Sequence, residues 1–371
     1  MTFDELLSGF VKRGASDIHL HVGLQPMIRL NGQLVPVSEN KLTQKFTDAL
    51  VDAVCNERQK EIFHSDNQVD LAYSVPGLAR FRVNLFRQRG SVSAVLRVIN
   101  SDASQLQVVN LPLDTLDYFR DQEKGLVLVT GPTGSGKSTT LARIIDEINS
   151  VHAKMIITVE DPIEFLHKPK RSIIVQREIG SDASSFSEAL RAAMRQDPEV
   201  ILIGEIRDYA TAAAAISAAQ TGHLVFSTLH TIDTVRTVNR VIELFPPHER
   251  ETARVLFAES LVGVVSQRLL PRKGGKGRVA AQEVMKGSMR IKDLIKDEER
   301  SHELYDALRD SKLDGMQTFD DNIAQLYADD IIDYEIGIAA ATSMQSFKMS
   351  ATQIDLGRDR ATPSTGLTVF N

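Results

Sequence analysis

Residues 131–138, Gly-Pro-Thr-Gly-Ser-Gly-Lys-Ser, follow the apolar run at 126–129 directly and precede a helical pattern carrying Leu141, Ile144, Ile145 and Ile148. No other stretch constrains the fold so tightly. The spacing G-x-x-x-x-G-K-[ST] between a strand and a helix is that of a loop whose backbone N–H groups curl around phosphate at a helix N-terminus. Such a loop needs glycines where the backbone turns tightly, a lysine to reach the outer phosphates and a hydroxyl to ligate Mg²⁺. The expected nucleotide-binding stretch is Gly131, Pro132, Thr133, Gly134, Ser135, Gly136, Lys137, Ser138 and Thr139, with Lys137 on the β- and γ-phosphates and Ser138 on the metal.

The surrounding pattern predicts an α/β fold. From residue 124, apolar runs alternate with helical segments: GLVLVT and a helix at 137–150, MIITV and a loop, FSEALRAAMRQ and VILIG, TAAAAISAAQ and LVFSTL. That alternation predicts a parallel sheet covered on both faces. Helical periodicity also marks 248–262 and 318–341. The first hundred residues read differently, as a small α+β module. Phe3, Leu6, Leu7, Phe10 and Val11 lie at helical spacing, residues 16–21 alternate, and Asn31-Gly32 signals a hairpin. A long helical pattern at 42–63 and strands near 68–75, 79–87 and 91–99 follow. The expected organisation is a first domain at 1–100, a linker at 101–112, a larger α/β domain at 113–350 and a loose polar tail at 351–371.

A chain of 371 residues suits two domains, because single cores stop growing near ~250–300 residues. No stretch approaches the ~18–20 apolar residues of a membrane span, and the start lacks the basic character of a secretory signal, so a cytoplasmic location is expected. The single cysteine, Cys55, reads as a core residue and excludes an internal disulfide or a multi-cysteine zinc site. A net charge of −6 argues against general nucleic-acid binding.

Two acidic features accompany the loop. The run at 200–203 ends in Gly204-Glu205, where a second metal-facing acid is expected; the glutamate side chain is long enough to act on Mg²⁺ through a bound water. Residues 159–165, VEDPIEF, set Glu160, Asp161 and Glu164 around Pro162 at the end of MIITV. Ligands of open α/β sheets gather at the carboxyl ends of strands, so this stretch is expected beside the phosphate loop, between it and Glu205. Hydrolysis needs an oriented water and a carboxylate to take its proton. Glu164 is assigned as that base, and Glu160 and Asp161 as metal-shell or turn-holding acids. A solvated acidic turn is the alternative reading.

In that order, GPTGSGKST, ITVEDPIE, VILIGEIRD and TGHLVFSTLHT resemble the secretion-type traffic ATPases, and the likeness to their pilus-retraction branch runs along nearly the whole chain. ASDIHL at 15–20, ARFRVN at 79–84 and GMQTFD at 315–320 support it. The resemblance implies a PAS-like N-terminal domain, a RecA-like ATPase domain and a homohexamer that hydrolyses ATP with Mg²⁺ to retract a type IV pilus. It implies a nucleotide held between the domains, with Arg82 and Arg97 closing on the γ-phosphate and Arg191 and Arg195 as a second pair. Their i, i+4 spacing independently puts Arg191 and Arg195 on one helix face. His223 and His230 match the family's histidine pair; His223 precedes the strand LVFSTL and His230 ends it, so His230 is the better placed to meet the γ-phosphate or the acids. Implied partners are an inner-membrane platform protein and paralogous pilus ATPases, at the cytoplasmic face of the pilus base, with no nucleic acid and no zinc.

Extension and secretion motors of this family carry a four-cysteine insertion after the stretch equivalent to SQRLL at 266–270, which here passes directly into PRKGGKGR. The retraction branch is therefore favoured. Residues 289–295, MRIKDLI, depart from that branch's usual motif, which leaves principal and accessory motors both open. Two other readings stay open: a nucleotide-gated scaffold that hydrolyses little, and a P-loop small-molecule kinase.

Overall fold

The computed structural model of the chain describes residues 2–30, 32–99, 110–275 and 277–361. Asn31 of the predicted hairpin, residues 101–109 of the predicted linker and residues 362–371 of the predicted tail fall outside it. The chain divides into two compact units. One comprises Met1–Ala103, Val159–Lys168 and Gln176–Ala189, and the other Ser104–Thr158, Pro169–Val175 and Leu190–Asn371.

In the first unit, helix α1 (Phe3–Lys12) opens with a capping box. The Thr2 hydroxyl accepts from the Glu5 N–H, and the Glu5 carboxylate accepts from the Thr2 N–H. Strands β1 (Asp17–His21), β2 (Met27–Leu30) and β3 (Gln33–Pro36) follow, then helices α2 (Gln44–Val54) and α3 (Glu57–Asp66), then β4 (Gln68–Val75), β5 (Ala79–Gln88) and β6 (Ser91–Ile99). The six strands form an antiparallel sheet in the order β3-β2-β1-β6-β5-β4. Strand alternation sends Ile18, Leu20, Phe81, Val83, Leu85 and Leu96 into one core with Leu7 and Phe10. Asp17, Arg82 and Arg97 are left on the opposite face. The helix predicted over 42–63 is two helices, because the Asn56 side chain accepts from the Gln59 N–H and starts α3 as a new N-cap. Cys55 is buried at that break.

The remaining elements are α4 (Leu113–Arg120), β7 (Gly125–Thr130), α5 (Lys137–Val151), β8 (Met155–Glu160), β9 (Ile173–Glu178), α6 (Phe186–Ala193), β10 (Val200–Ile203) and α7 (Tyr209–Gln220). After them come β11 (Leu224–Leu229), α8 (Thr234–Glu243), α9 (Arg250–Ser260), β12 (Leu261–Pro271), β13 (Arg278–Lys286), α10 (Met289–Lys296) and α11 (Leu304–Asp310). Helices α12 (Phe319–Ala328), α13 (Tyr334–Ala340) and α14 (Met344–Ala361) close the described chain. The division between the units cuts through β8, β9 and α6.

Seven strands form the larger sheet in the order β13-β12-β7-β11-β10-β8-β9. Strands β12, β7, β11 and β10 run parallel, and β7 and β11 are buried at every position, as expected of strands covered on both faces. The predicted parallel sheet is extended at one edge by β13, which pairs antiparallel to β12. The helix predicted through 262 stops at Ser260, where the β-branched run that follows is paired with β7 and buried. Strands β9, β12 and β13 and helix α8 escaped the sequence pattern. Residues 351–361, expected to be loose, continue α14, which is anchored by Phe347 and Ala351 against Phe319 and Ile323. Few apolar anchors suffice, so composition alone misses such a helix.

The strand order in the larger sheet differs from the one expected for the acidic stretch. Strand β8, which leads into VEDPIEF, is separated from β7 by β11 and β10, a lateral distance of about 14 Å at ordinary strand spacing. The Glu205 strand, β10, stands between β8 and β7. Among the described residues no helix is long and apolar enough to cross a membrane.

Candidate nucleotide site

Strands β7, β11 and β10 are parallel, so the residues following each lie on one edge of the sheet: the phosphate loop after Thr130, His230 after Leu229 and Glu205 after Ile203 and Gly204. Gly131 has φ +144°, and a Cβ there would stand 2.2 Å from the Gln267 carbonyl oxygen and 2.6 Å from Ser135 Oγ. Only glycine fits. Lys137 opens α5, is buried, and donates from Nζ to the carbonyls of Gly131 at 2.9 Å and Pro132 at 3.2 Å. Ser138 is half-buried, while Pro132, Thr133, Gly134 and Thr139 are exposed. Ser135 Oγ is buried and has no hydrogen-bond partner within the described protein. A phosphate oxygen or water there would satisfy it, so the loop fits a phosphate group.

Glu205 is held from two sides. Arg207 donates Nε to its Oε1 at 2.7 Å and Nη2 to its Oε2 at 2.8 Å, and His230 Nε2 lies 3.3 Å from Oε1. Burial pushes the carboxyl up, but the Arg207 hydrogen bond and charge, with those of His230, more than offset it and hold the group below its ordinary range. Two hydroxyls fix the turn that carries it: Ser227 Oγ donates to the Ile203 carbonyl at 2.9 Å and Thr228 Oγ1 to that of Gly204 at 2.7 Å. A chain of hydroxyls, buried except at its Thr231 end, runs from the loop toward His230. Thr130 Oγ1 meets Ser266 Oγ at 2.6 Å and Thr237 Oγ1 at 3.3 Å, and Thr237 meets Thr231 Oγ1 at 2.7 Å. His223 instead holds the turn into β11, its Nδ1 lying 2.9 Å from the Ala218 carbonyl.

Glu160, Asp161 and Glu164 belong to the first unit, with Arg82 and Arg97. Glu160 faces its own turn: Oε2 accepts from the Glu164 N–H at 3.4 Å and Oε1 from Gln176 Nε2 at 3.2 Å. Asp161 and Glu164 are exposed. Buried Glu178 pins the same turn by accepting from the Ile163 N–H at 3.2 Å and from Arg80 Nη2 at 3.1 Å. Among the described residues no group of three His, Cys, Asp or Glu side chains is set to hold a metal ion. Ser138 and Glu205 are a hydroxyl and a carboxylate, groups whose oxygen chemistry fits Mg²⁺.

Arg82 and Arg97 are exposed register partners across β5 and β6. Arg97 donates Nε to Asp17 Oδ1 at 2.8 Å, and Arg29 Nε lies 3.7 Å from Asp17 Oδ2. The helix face expected to be shared by Arg191 and Arg195 does not form. Helix α6 ends at Ala193, so exposed Arg191 sits in its last turn and exposed Arg195 lies in the turn beyond, not on a shared helix face. Sequence reasoning missed Arg207 and Gln267 as residues of this site. Only Arg207, two positions after Glu205, carried a local signal.

Residues 1–329 match the type II/IV secretion system protein family. The chain is 44% identical to the type IV pilus retraction ATPase PilT of Pseudomonas aeruginosa over 335 residues, 90% of this chain and 96% of that protein. It is 38% identical to the type IV pilus ATPase PilU of the same organism, over 94% of this chain and 91% of the relative. Among solved structures, the pilus retraction motor PilT with bound ADP superposes with a TM-score of 0.85 at 40% identity, covering 94% of this chain and 99% of that one.

Proposed function

The chain belongs to the type II/IV secretion system protein family, and from that membership we propose that it is the ATP-hydrolysing motor of type IV pilus retraction. The observation that carries this reading is the site edge itself: a complete phosphate loop, with Glu205 and His230 on the neighbouring parallel strands, in a chain alike along its length to a pilus retraction ATPase. The ADP in the related retraction-motor structure supports a purine nucleotide as the ligand.

Residues 131–139 bind the phosphates, Lys137 exchanging its loop carbonyls for phosphate oxygens. Mg²⁺, when bound with the nucleotide, neutralises charge on the transferred phosphoryl group. Glu205, kept ionised by Arg207, orients water on the metal side, and His230 steadies Glu205 and senses the phosphate end. Glu164 takes the proton of the attacking water, with Glu160 and Asp161 holding its turn. Arg82, Arg97, Arg191 and Arg195 are the cations proposed to answer phosphate charge. In this reading the chain works as a PAS-like domain, a linker and a RecA-like domain within a homohexamer. It acts at the cytoplasmic face of the pilus base against a membrane platform protein and beside paralogous pilus ATPases.

Two measurements test this. Deletion in the source cell is expected to leave cells with many pili and no twitching; bald cells would overturn retraction. In the purified protein, Glu164→Gln is expected to lower ATP turnover by about 10²–10⁴-fold while ADP still binds. Unchanged turnover removes Glu164 from its role.

A further inference from the structure

We propose that Gln267, on β12, is a positioning residue that sets the phosphate loop in its binding shape. This deepens, and rests on, the reading of residues 131–139 as a nucleotide site. Strand β12 runs parallel to β7 with Ser266 in register with Thr130, so Gln267 lies one step further along, beside the first residue of the loop. The residue is only 1% exposed. Nε2 donates to the Ser135 carbonyl at 2.7 Å, and Oε1 accepts from Thr140 Oγ1 in the first turn of α5 at 2.9 Å. Its own carbonyl oxygen fills the space that a Cβ on Gly131 would need, and Nε2 lies 3.1 Å from where a Cβ on Gly136 would be. One residue therefore meets the loop at its start, its crown and its exit.

The chemistry selects an amide. The two neighbours need one donor and one acceptor on a single buried side chain, which the neutral amide supplies and a carboxylate does not. The bond to Ser135 also has a directional consequence. A trans peptide carries its C=O and N–H on opposite sides, so anchoring the Ser135 carbonyl on β12 turns the Gly136 N–H away from β12. A phosphate cradle needs its N–H groups turned in this way, toward the ligand. Without Gln267 the Ser135 carbonyl loses its partner and the peptide is free to rotate.

The test uses the full chain with Mg²⁺ and a fluorescent ADP. Gln267→Met keeps the length and removes both bonds. Gln267→Glu keeps the acceptor for Thr140 and sets a carboxylate oxygen against the Ser135 carbonyl. Both are expected to weaken ADP binding by about tenfold or more, the loss of a buried, charge-free hydrogen bond and the desolvated carbonyl it leaves. Turnover at saturating ATP is expected to change less, so the effect appears in KM rather than kcat, which a merely structural role would not produce. Thr140→Val, which removes only the donor to Oε1, is expected to weaken binding less, and to add nothing in the Gln267→Met background. That variant also serves if Gln267→Met fails to fold. A folded Gln267→Met protein that binds ADP as the parent does, or a Thr140→Val effect fully additive with it, overturns the proposal. A parent chain that binds no ADP overturns the nucleotide-site reading and the proposal with it.

Discussion

Nε2 of His230 stands 3.3 Å from Oε1 of Glu205, on the edge of the larger sheet where β11 and β10 end. The same carboxylate is gripped by Arg207, and its pKa is held low by that partner despite burial. A depressed carboxyl is ionised at neutral pH and loses its charge only as pH falls through the lowered value. Arg207→Ala removes the principal lowering partner. The acidic limb of the pH profile for ATP hydrolysis is then expected to move to higher pH, with His230→Ala moving it less in the same direction. A limb that stays in place in both variants contradicts the arrangement.

Glu178 joins two segments far apart in the chain. It accepts from Arg80 and from the Ile163 N–H, and its side chain is buried. Glu178→Ala leaves a largely buried guanidinium and a buried N–H without their acceptor, a change expected to cost about 2–4 kcal/mol. Chemical unfolding would measure the loss, and hydrogen exchange would show faster exchange in a peptide spanning 159–168. Protection equal to the parent's in that peptide would refute the link.

Asp17, 7% exposed, holds Arg97 and faces Arg29. Burial raises its pKa, but the hydrogen bonds from Arg97 and Ser16 and the charges of Arg97 and Arg29 outweigh it and leave it lowered. A lowered carboxyl contributes stability that is present above its unfolded pKa and is lost as pH falls through the folded one. Asp17→Asn is expected to cost about 1 kcal/mol at pH 7, a modest figure because Arg97 is 69% exposed and screened by water. Melting temperatures taken at neutral and strongly acidic pH should show the gap between parent and variant closing in acid. A gap that widens in acid would reverse the sign.

Cys55 is buried where α2 ends, and burial pushes its thiol up to about 11. The thiolate is the reactive form, so the folded chain is expected to resist thiol reagents at pH 8 and to react fully once unfolded in urea. Rapid modification of the native protein at pH 8 would show that this pocket is open.

The elements most legible in the sequence are those whose signal is local. Strands β4, β5 and β6, helix α5 and the α7–β11 passage follow from periodicity and from glycine and proline punctuation. Strand β12 did not, because its run of β-branched and apolar residues follows a helical pattern with no turn residue between them, and period alone cannot separate a buried strand from a buried helix. The helix face expected of Arg191 and Arg195 failed for a related reason: their spacing suits a helix, but α6 stops at Ala193.

By itself the sequence determined the phosphate loop and the chemistry it can perform, because that loop is made by the backbone of consecutive residues and each glycine acts through its own φ angle. It also determined that Glu205 and His230 share an edge, since parallel strands bring their carboxyl ends together. Only the tertiary structure decided which distant side chains meet: Gln267 with Ser135, Asp17 with Arg97, Glu178 with Arg80. Strand order decided that β8 is parted from β7 by two strands, and chain packing grouped the acidic turn with the first unit. These contacts depend on which strands pair across long stretches of chain, and strand pairing over such separations has no local signature in the residues themselves.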